Sequence, residues 1–252
     1  MLTEKEYQVL IKEVNRLRDE INLFNNEEIS ESALDDLKRK ITEFETLNPT
    51  IISPNSPNYN ISGGVSKGFQ KFRHTKRMLS LTDIFTFQEL VDWQAKWENY
   101  LQKEAGEGEK LKIYNKEITP KYFVEPKMDG LAISLHYENG LLIAGATRGD
   151  GWIGELITEN LKQIANIPKE IPDNRKIEVR GEVFMTKSDF KSLNKEILAG
   201  NKIGKMGKTG PEGIFANPRN VSSGTLRQLN SRIVGERNLS FLAYNVFVEV
   251  VQ

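Results

Sequence analysis

One dipeptide constrains this chain more than any other feature. Asn139-Gly140 separates two apolar-rich runs, Ile133–Tyr137 and Leu141–Ala146. An Asn-Gly pair between such runs closes a tight hairpin, because both residues accept the positive φ that a type I′ turn requires. The chain therefore contains antiparallel sheet. Tyr122–Pro126, Lys176–Met185 and Phe241–Val251 read as further strands. Thr86–Glu104, Leu156–Ile164 and Asp189–Leu198 read as helices, the last with Thr186 as its N-cap. Residues 199–213 read as a Gly- and Lys-rich loop. Strands grouped in hairpins, with helices between the groups, predict an α+β fold on antiparallel sheets.

The first 48 residues follow a different period. Tyr7, Leu10, Ile11, Val14, Leu17, Ile21 and Phe24 recur at helical spacing, and so do Leu34, Leu37, Ile41, Phe44 and Leu47 after Ser32, a candidate N-cap. Two amphipathic helices predict a helical hairpin. Residues 49–70 are rich in Pro, Asn, Ser and Gly and read as a linker. The expected organisation is a hairpin over 1–48, a linker over 49–70 and a larger domain over 71–252.

Composition removes several classes of chemistry. The 252 residues include no cysteine, so disulfides, thiolate zinc sites and cysteine nucleophiles are excluded. With His74 and His136 as the two histidines, a histidine-built metal site is not expected, and no zinc is expected in this chain. No run approaches ~18 apolar residues, so no membrane span is expected. The N-terminal MLTEKEYQVL lacks the pattern of a signal peptide, which predicts a soluble cytoplasmic protein. The formal net charge is zero, yet charge is segregated. Residues 1–48 carry seven Lys and Arg against twelve Asp and Glu; residues 197–232 carry six basic residues, including Lys208, Arg219 and Arg227, against Glu212.

Four clusters could carry chemistry. Glu125-Pro126-Lys127-Met128-Asp129-Gly130 sets a lysine between two carboxylates. A lysine amine is a nucleophile once it is neutral, and a nearby carboxylate can hold it or take its proton. Thr147-Arg148-Gly149-Asp150-Gly151 follows the hairpin and offers a guanidinium, whose planar fork suits phosphate. In Glu178-Val179-Arg180-Gly181-Glu182-Val183-Phe184, alternation puts Glu178, Arg180 and Glu182 on one face. Phe215-Ala216-Asn217-Pro218-Arg219-Asn220, running on to Thr225-Leu226-Arg227-Gln228-Leu229, places two arginines among small residues, which suits phosphate contacts. Each cluster also has a plain reading: a solvated hairpin start, a turn, a charged strand face, a basic loop.

Taken in this order and spacing, the clusters resemble the N-terminal part of a bacterial-type NAD-dependent DNA ligase over nearly the whole chain. EPKMDG resembles that family's nucleotidyltransferase motif. The resemblance implies an ATP-grasp-like adenylation domain in which Lys127 takes AMP from NAD as a lysyl-AMP, with Asp129 as its catalytic neighbour. It implies nucleotide contacts from Ser80 and Leu81 in HTKRMLSL, and from Glu125, Arg148, Glu182 and Tyr244. Phosphate or DNA contacts are implied for Arg219, Arg227 and Lys208. Magnesium, nicked double-stranded DNA, and a place in DNA replication and repair follow as family expectations. Aligned on the family's hairpin, Asp35 is kept, while Leu34, Glu31, Ile21 and Asn22 stand where Tyr, Asp, Tyr and His are expected. That departure keeps two other readings open: a relative using ATP or adenylated DNA, and a non-catalytic ligase-like binding module. The family's later catalytic lysine, oligonucleotide-binding barrel, four-cysteine zinc module and helix-hairpin-helix repeats are absent from these 252 residues. The expectation is a domain truncated at its C-terminal end that does not complete ligation alone.

Overall fold

The computed structural model describes residues 2–24, 31–59, 68–81, 83–104, 112–113, 116–117, 122–204 and 207–249. The chain divides into two compact units, Met1–Leu79 with Met128–Gln252, and Ser80–Lys127. In chain order the elements are α1 (Glu4–Phe24), α2 (Glu31–Leu47), β1 (Lys71–Arg73), α3 (Phe87–Glu104), β2 (Lys112–Ile113), β3 (Lys116–Glu117), β4 (Leu131–Glu138), β5 (Leu141–Thr147), β6 (Ile153–Glu155), α4 (Thr158–Leu161), β7 (Ile177–Phe184), α5 (Lys187–Leu198), α6 (Pro218–Leu226), α7 (Arg232–Gly235) and β8 (Ser240–Val248).

The expected helical hairpin is α1 on α2. Tyr7, Ile11, Val14 and Leu17 are buried against Leu34, Ile41 and Phe44. The Tyr7 and Phe44 rings stack with centroids 4.3 Å apart. The Tyr7 hydroxyl donates to Glu45 at 2.7 Å and accepts from the Ser53 amide at 3.0 Å, so the polar end of a buried ring is satisfied. Ser32, the expected N-cap, falls inside α2, which begins at Glu31. The Ile21 and Phe24 side chains lie outside the described residues. Within the Pro- and Asn-rich stretch, the described part up to Tyr59 is tied to the hairpin. The Asn15 amide donates to the Asn55 carbonyl at 2.9 Å, and the Asn58 amide to Glu45 at 2.7 Å.

The central sheet has the order β5-β4-β7-β8, antiparallel throughout. The β4–β5 hairpin turns through Asn139 at φ 52° and Gly140 at φ 79°, as the Asn-Gly pair predicts. One face carries Ile133, Leu135, Tyr137, Ile177 and Val183 into a core shared with Ile157, Leu161, Ile197, Val221 and Leu226. The opposite face carries Ser134, His136, Glu178, Arg180 and Glu182, the alternation having sorted apolar from polar residues. β1 pairs with β6 in a separate two-stranded ladder that the sequence pattern did not reveal.

Three expectations need correction. Tyr122–Pro126 belongs to no strand among the described residues, and Phe123 and Val124 are 87% and 90% exposed. An extended segment becomes a strand only when a neighbour takes its hydrogen bonds. The helix expected over Leu156–Ile164 is a single α-helical turn, α4, followed by bonds of the i→i+3 kind such as Gln163 N to Asn160 O and Ile164 N to Leu161 O. Its N-cap position is Ile157, which supplies no capping side chain, and the Asn160 amide is drawn away to the carbonyls of Leu226 and Gln228. The basic stretch after Phe215, read without an element, contains α6. Asn217 caps its start by accepting from the Asn220 amide, and Pro218 occupies the first turn, a start signal present in the sequence.

Gly130 opens β4 where the backbone of β7 comes closest. A Cβ at Gly130 would fall inside the Val183 carbonyl oxygen, a backbone atom that cannot swing aside. Gly130→Ala is expected to cost about 1–3 kcal/mol as an overpacked substitution. Urea unfolding, read as a lower midpoint at unchanged slope, measures this.

Candidate functional site

The first unit gathers most of the charged residues singled out above. β7 supplies Glu182 on the polar face, and Glu182 lies opposite Ala132 of β4 and Leu242 of β8. The register between β7 and β8 passes from Arg180–Asn245 to Gly181–Ala243, leaving Tyr244 as the extra residue of a bulge. A bulge re-aims a side chain without breaking the sheet. Tyr244 is about half exposed, at 52%. Burial of its hydroxyl raises the phenol above its ordinary value, the Glu182 carboxylate adds to this, and Arg148 and Arg180 oppose it.

Arg148 leaves the end of β5 with its amide donating to the Ala132 carbonyl at 3.0 Å. Asp150 closes the turn beyond it by accepting from the amides of Trp152 at 2.8 Å and Ile153 at 2.7 Å. Burial holds the Arg148 guanidinium below its ordinary value; Glu182 and Tyr244 favour its charge and Arg219 disfavours it. Arg148 thus senses Glu182, Tyr244 and Arg219 together. Arg219, in the first turn of α6, donates to Asp129 at 3.1 Å. The Asp129 carboxylate is half exposed, so this pair fixes geometry more than it adds stability. An aromatic ring, a carboxylate acceptor and two guanidiniums suit a base, a sugar hydroxyl and a phosphate respectively.

Other expected residues have different partners or belong to the second unit. Arg227 donates to Glu155 at 3.1 Å, and Glu155 is fully buried and also bonded to Thr147. Its guanidinium is committed to an internal carboxylate. Lys208 pairs with Glu212 at 2.7 Å on the surface, and Asp35 pairs with Lys38 at 3.0 Å on the hairpin. Ser80, Leu81, Glu125 and Lys127 belong to the second unit. All four are exposed there. In that unit, Thr86 accepts from the Glu89 amide while Glu89 accepts from the Phe85 amide, a reciprocal cap that starts α3. Trp93 and Trp97 of α3 face Tyr122 at centroid distances of 6.2 and 6.5 Å. Lys127 ends this unit, two residues before Asp129 in the chain.

Two groups are tied into the fold in ways their residue types do not reveal. Arg180 was one charge of a row; in the fold it is buried and donates to Glu178 at 2.6 Å, to the Lys76 carbonyl at 2.6 Å and to the Arg77 carbonyl at 2.9 Å. Its guanidinium also lies 4.7 Å from the Phe247 ring centroid. It clamps the backbone of HTKRM, the segment that continues in sequence to Ser80. The two histidines, distant in sequence, converge with Glu178 on the same face.

An antiparallel sheet with helices and a charged row on its polar face marks a mixed helix and antiparallel-sheet domain. The comparisons make the class specific. The NAD-dependent DNA ligase adenylation domain matches residues 66–252. A DNA ligase of Exiguobacterium sibiricum is 37% identical over 251 residues, covering 100% of this chain and 34% of that protein. DNA ligases of Ligilactobacillus salivarius and Endomicrobium trichonymphae are 38% and 42% identical, over 96% and 88% of this chain and 32% and 30% of their own lengths. The chain belongs to the NAD-dependent DNA ligase adenylation-domain family. It spans about a third of the length of the curated relatives it matches.

Proposed function

We propose that this chain performs the adenylation step of NAD-dependent DNA ligation. The Lys127 amine forms a bond to the α-phosphorus of NAD. The bond from that phosphorus to the bridging oxygen breaks, nicotinamide mononucleotide leaves with the electron pair, and one ammonium proton passes to a base. The lysyl-AMP is then the donor for the 5′-phosphate of nicked double-stranded DNA. Covalent capture divides one phosphoryl exchange into two easier ones. Asp129, two residues on, is read as the carboxylate that holds the amine. Arg148 and Arg219 neutralise phosphate, Glu182 accepts from ribose hydroxyls, and Tyr244 stacks on the base, with Ser80, Leu81 and Glu125 on the adenine side. The fold is read as ATP-grasp-like. The hairpin over 1–48, with Asp35, serves the mononucleotide half; residues 49–70 connect it to the adenylation domain over 71–252. A cytoplasmic setting in DNA replication and repair accompanies this reading, with Lys208 as a DNA-side cation and Arg227 holding Glu155 beneath that surface. Magnesium is a family expectation. Among the described residues, the histidines and acidic groups with metal-ligand spacing are His74, His136 and Glu178, and no step above depends on them.

The observation that carries the proposal is the electrostatic grouping of Arg148, Glu182, Tyr244 and Arg219, with Arg219 on Asp129 of the KMDG motif. Incubation of the chain with NAD and magnesium is expected to add one AMP, located on the Lys127 peptide by mass spectrometry. No gain of mass with any donor would remove the catalytic reading. A second donor is favoured by one observation: Leu34, standing at a tyrosine position, is buried in the hairpin core, 9% exposed, and offers no ring to a nicotinamide. Labelling with ATP but not with NAD would transfer the assignment to ATP.

A further inference from the structure

His74 follows β1, His136 lies on β4 and Glu178 on β7, and His136 and Glu178 are direct cross-strand partners. One candidate ligand atom from each lies within 4.8 Å of the others. His74 and Glu178 are buried, at 2% and 7% exposure, and His136 is partly buried. Phe72 walls the group, with its ring 5.5 Å from the His74 ring and 4.8 Å from the His136 ring.

We propose that His74, His136 and Glu178 form a divalent transition-metal site, suited best to zinc, on the polar face of the sheet. Two imidazoles and one carboxylate are a donor set that borderline ions favour, with a fourth position left for water or a hydroxyl. His74 Nε2 lies 3.0 Å from the Thr147 carbonyl, which can only accept. That contact fixes the proton on Nε2 and leaves the Nδ1 lone pair for the cluster, the outer-shell arrangement that orients metal-ligating histidines. Ser134 places its hydroxyl 3.5 Å from His74 Nδ1 and 3.1 Å from His136 Nε2, so an oxygen sits between the two rings. The competing use of these groups is a hydrogen-bonded polar core. Glu178 gives one oxygen to Arg180, and that neighbouring cation weakens metal binding without occupying the second oxygen.

The chain has two histidines, so their imidazole signals report this site in the unaltered protein. Tag-free, chelator-treated chain labelled with nitrogen-15 is titrated with zinc and followed by imidazole NMR. One equivalent is expected to shift both rings, with His74 metallated at Nδ1 and still protonated at Nε2. Cobalt should show a visible absorption band at one ion per chain. His136→Gln is expected to weaken zinc binding by more than the ~10–100-fold typical of losing an outer-shell partner. Circular dichroism confirms that the variant is folded. Imidazole signals unmoved at saturating zinc in the wild-type chain would overturn the proposal, as would equal zinc affinity in a folded His74→Gln/His136→Gln chain. Neither readout requires adenylation activity, so failure here leaves the proposed function standing.

Discussion

Lys127→Arg is expected to abolish AMP labelling while leaving the fold intact. The substitution keeps a positive charge on a side chain that is exposed in the structure. If Lys127 served only as a cation for phosphate, arginine would replace it with little loss. A nucleophile must instead lose a proton, and the guanidinium does not do so in proteins. Removing the nucleophile from a covalent enzyme costs on the order of 10⁶-fold in rate, so labelling should fall below detection. Thermal unfolding should move little, because exposed substitutions away from packed features lie within about 0.5 kcal/mol. The measurement is intact mass after incubation with the active donor, beside a melting curve. Retained labelling in Lys127→Arg would locate the acceptor elsewhere in the chain.

The hairpin at Asn139-Gly140 was legible because the dipeptide, the apolar runs and the required φ values all agree locally. The charged row of β7 was legible for the same reason, since the strand period is two whatever the partner strand. Neither signal says what a row faces. Arg180 finds its acceptors about a hundred residues back, at Lys76 and Arg77, and a backbone carbonyl leaves no trace in residue type. The meeting of His74 with His136 has the same cause: it depends on which segment covers the sheet, a matter of topology and not of local pattern. α4 was overestimated because apolar spacing favours a helix over 156–164, whereas Asn160 is satisfied by the carbonyls of Leu226, the last residue of α6, and of Gln228 just beyond it. The bulge that singles out Tyr244 was invisible because one extra residue in a ladder can be counted only once the partner strand is known. The donor chemistry of the site was readable from motifs; the hidden part was which cations are committed internally, as Arg227 is to Glu155.

Arg180→Met is expected to destabilise the first unit by about 3–5 kcal/mol, the usual cost of leaving one member of a buried ion pair alone. Both partners are buried, with side-chain exposures of 7% and 8%, so solvent cannot make up the loss. The methionine also abandons the carbonyls of Lys76 and Arg77 and the face of Phe247. At about 2–4 °C per kcal/mol for a body of 150–250 residues, the melting temperature should fall by about 6–20 °C. A double variant, Glu178→Gln with Arg180→Met, removes the stranded charge and should recover part of that loss. The coupling energy from the four-member cycle then isolates the pair from the carbonyl clamp. A clamp that holds HTKRM in place also predicts a functional signature that simple destabilisation does not. In the folded variant at low temperature, the nucleotide concentration that half-saturates AMP labelling should rise more than the maximal labelling rate falls, because under the proposed function this segment leads into the nucleotide contacts while the acceptor lysine is untouched. A fall in the maximal labelling rate with unchanged half-saturation would instead assign Arg180 to stability alone.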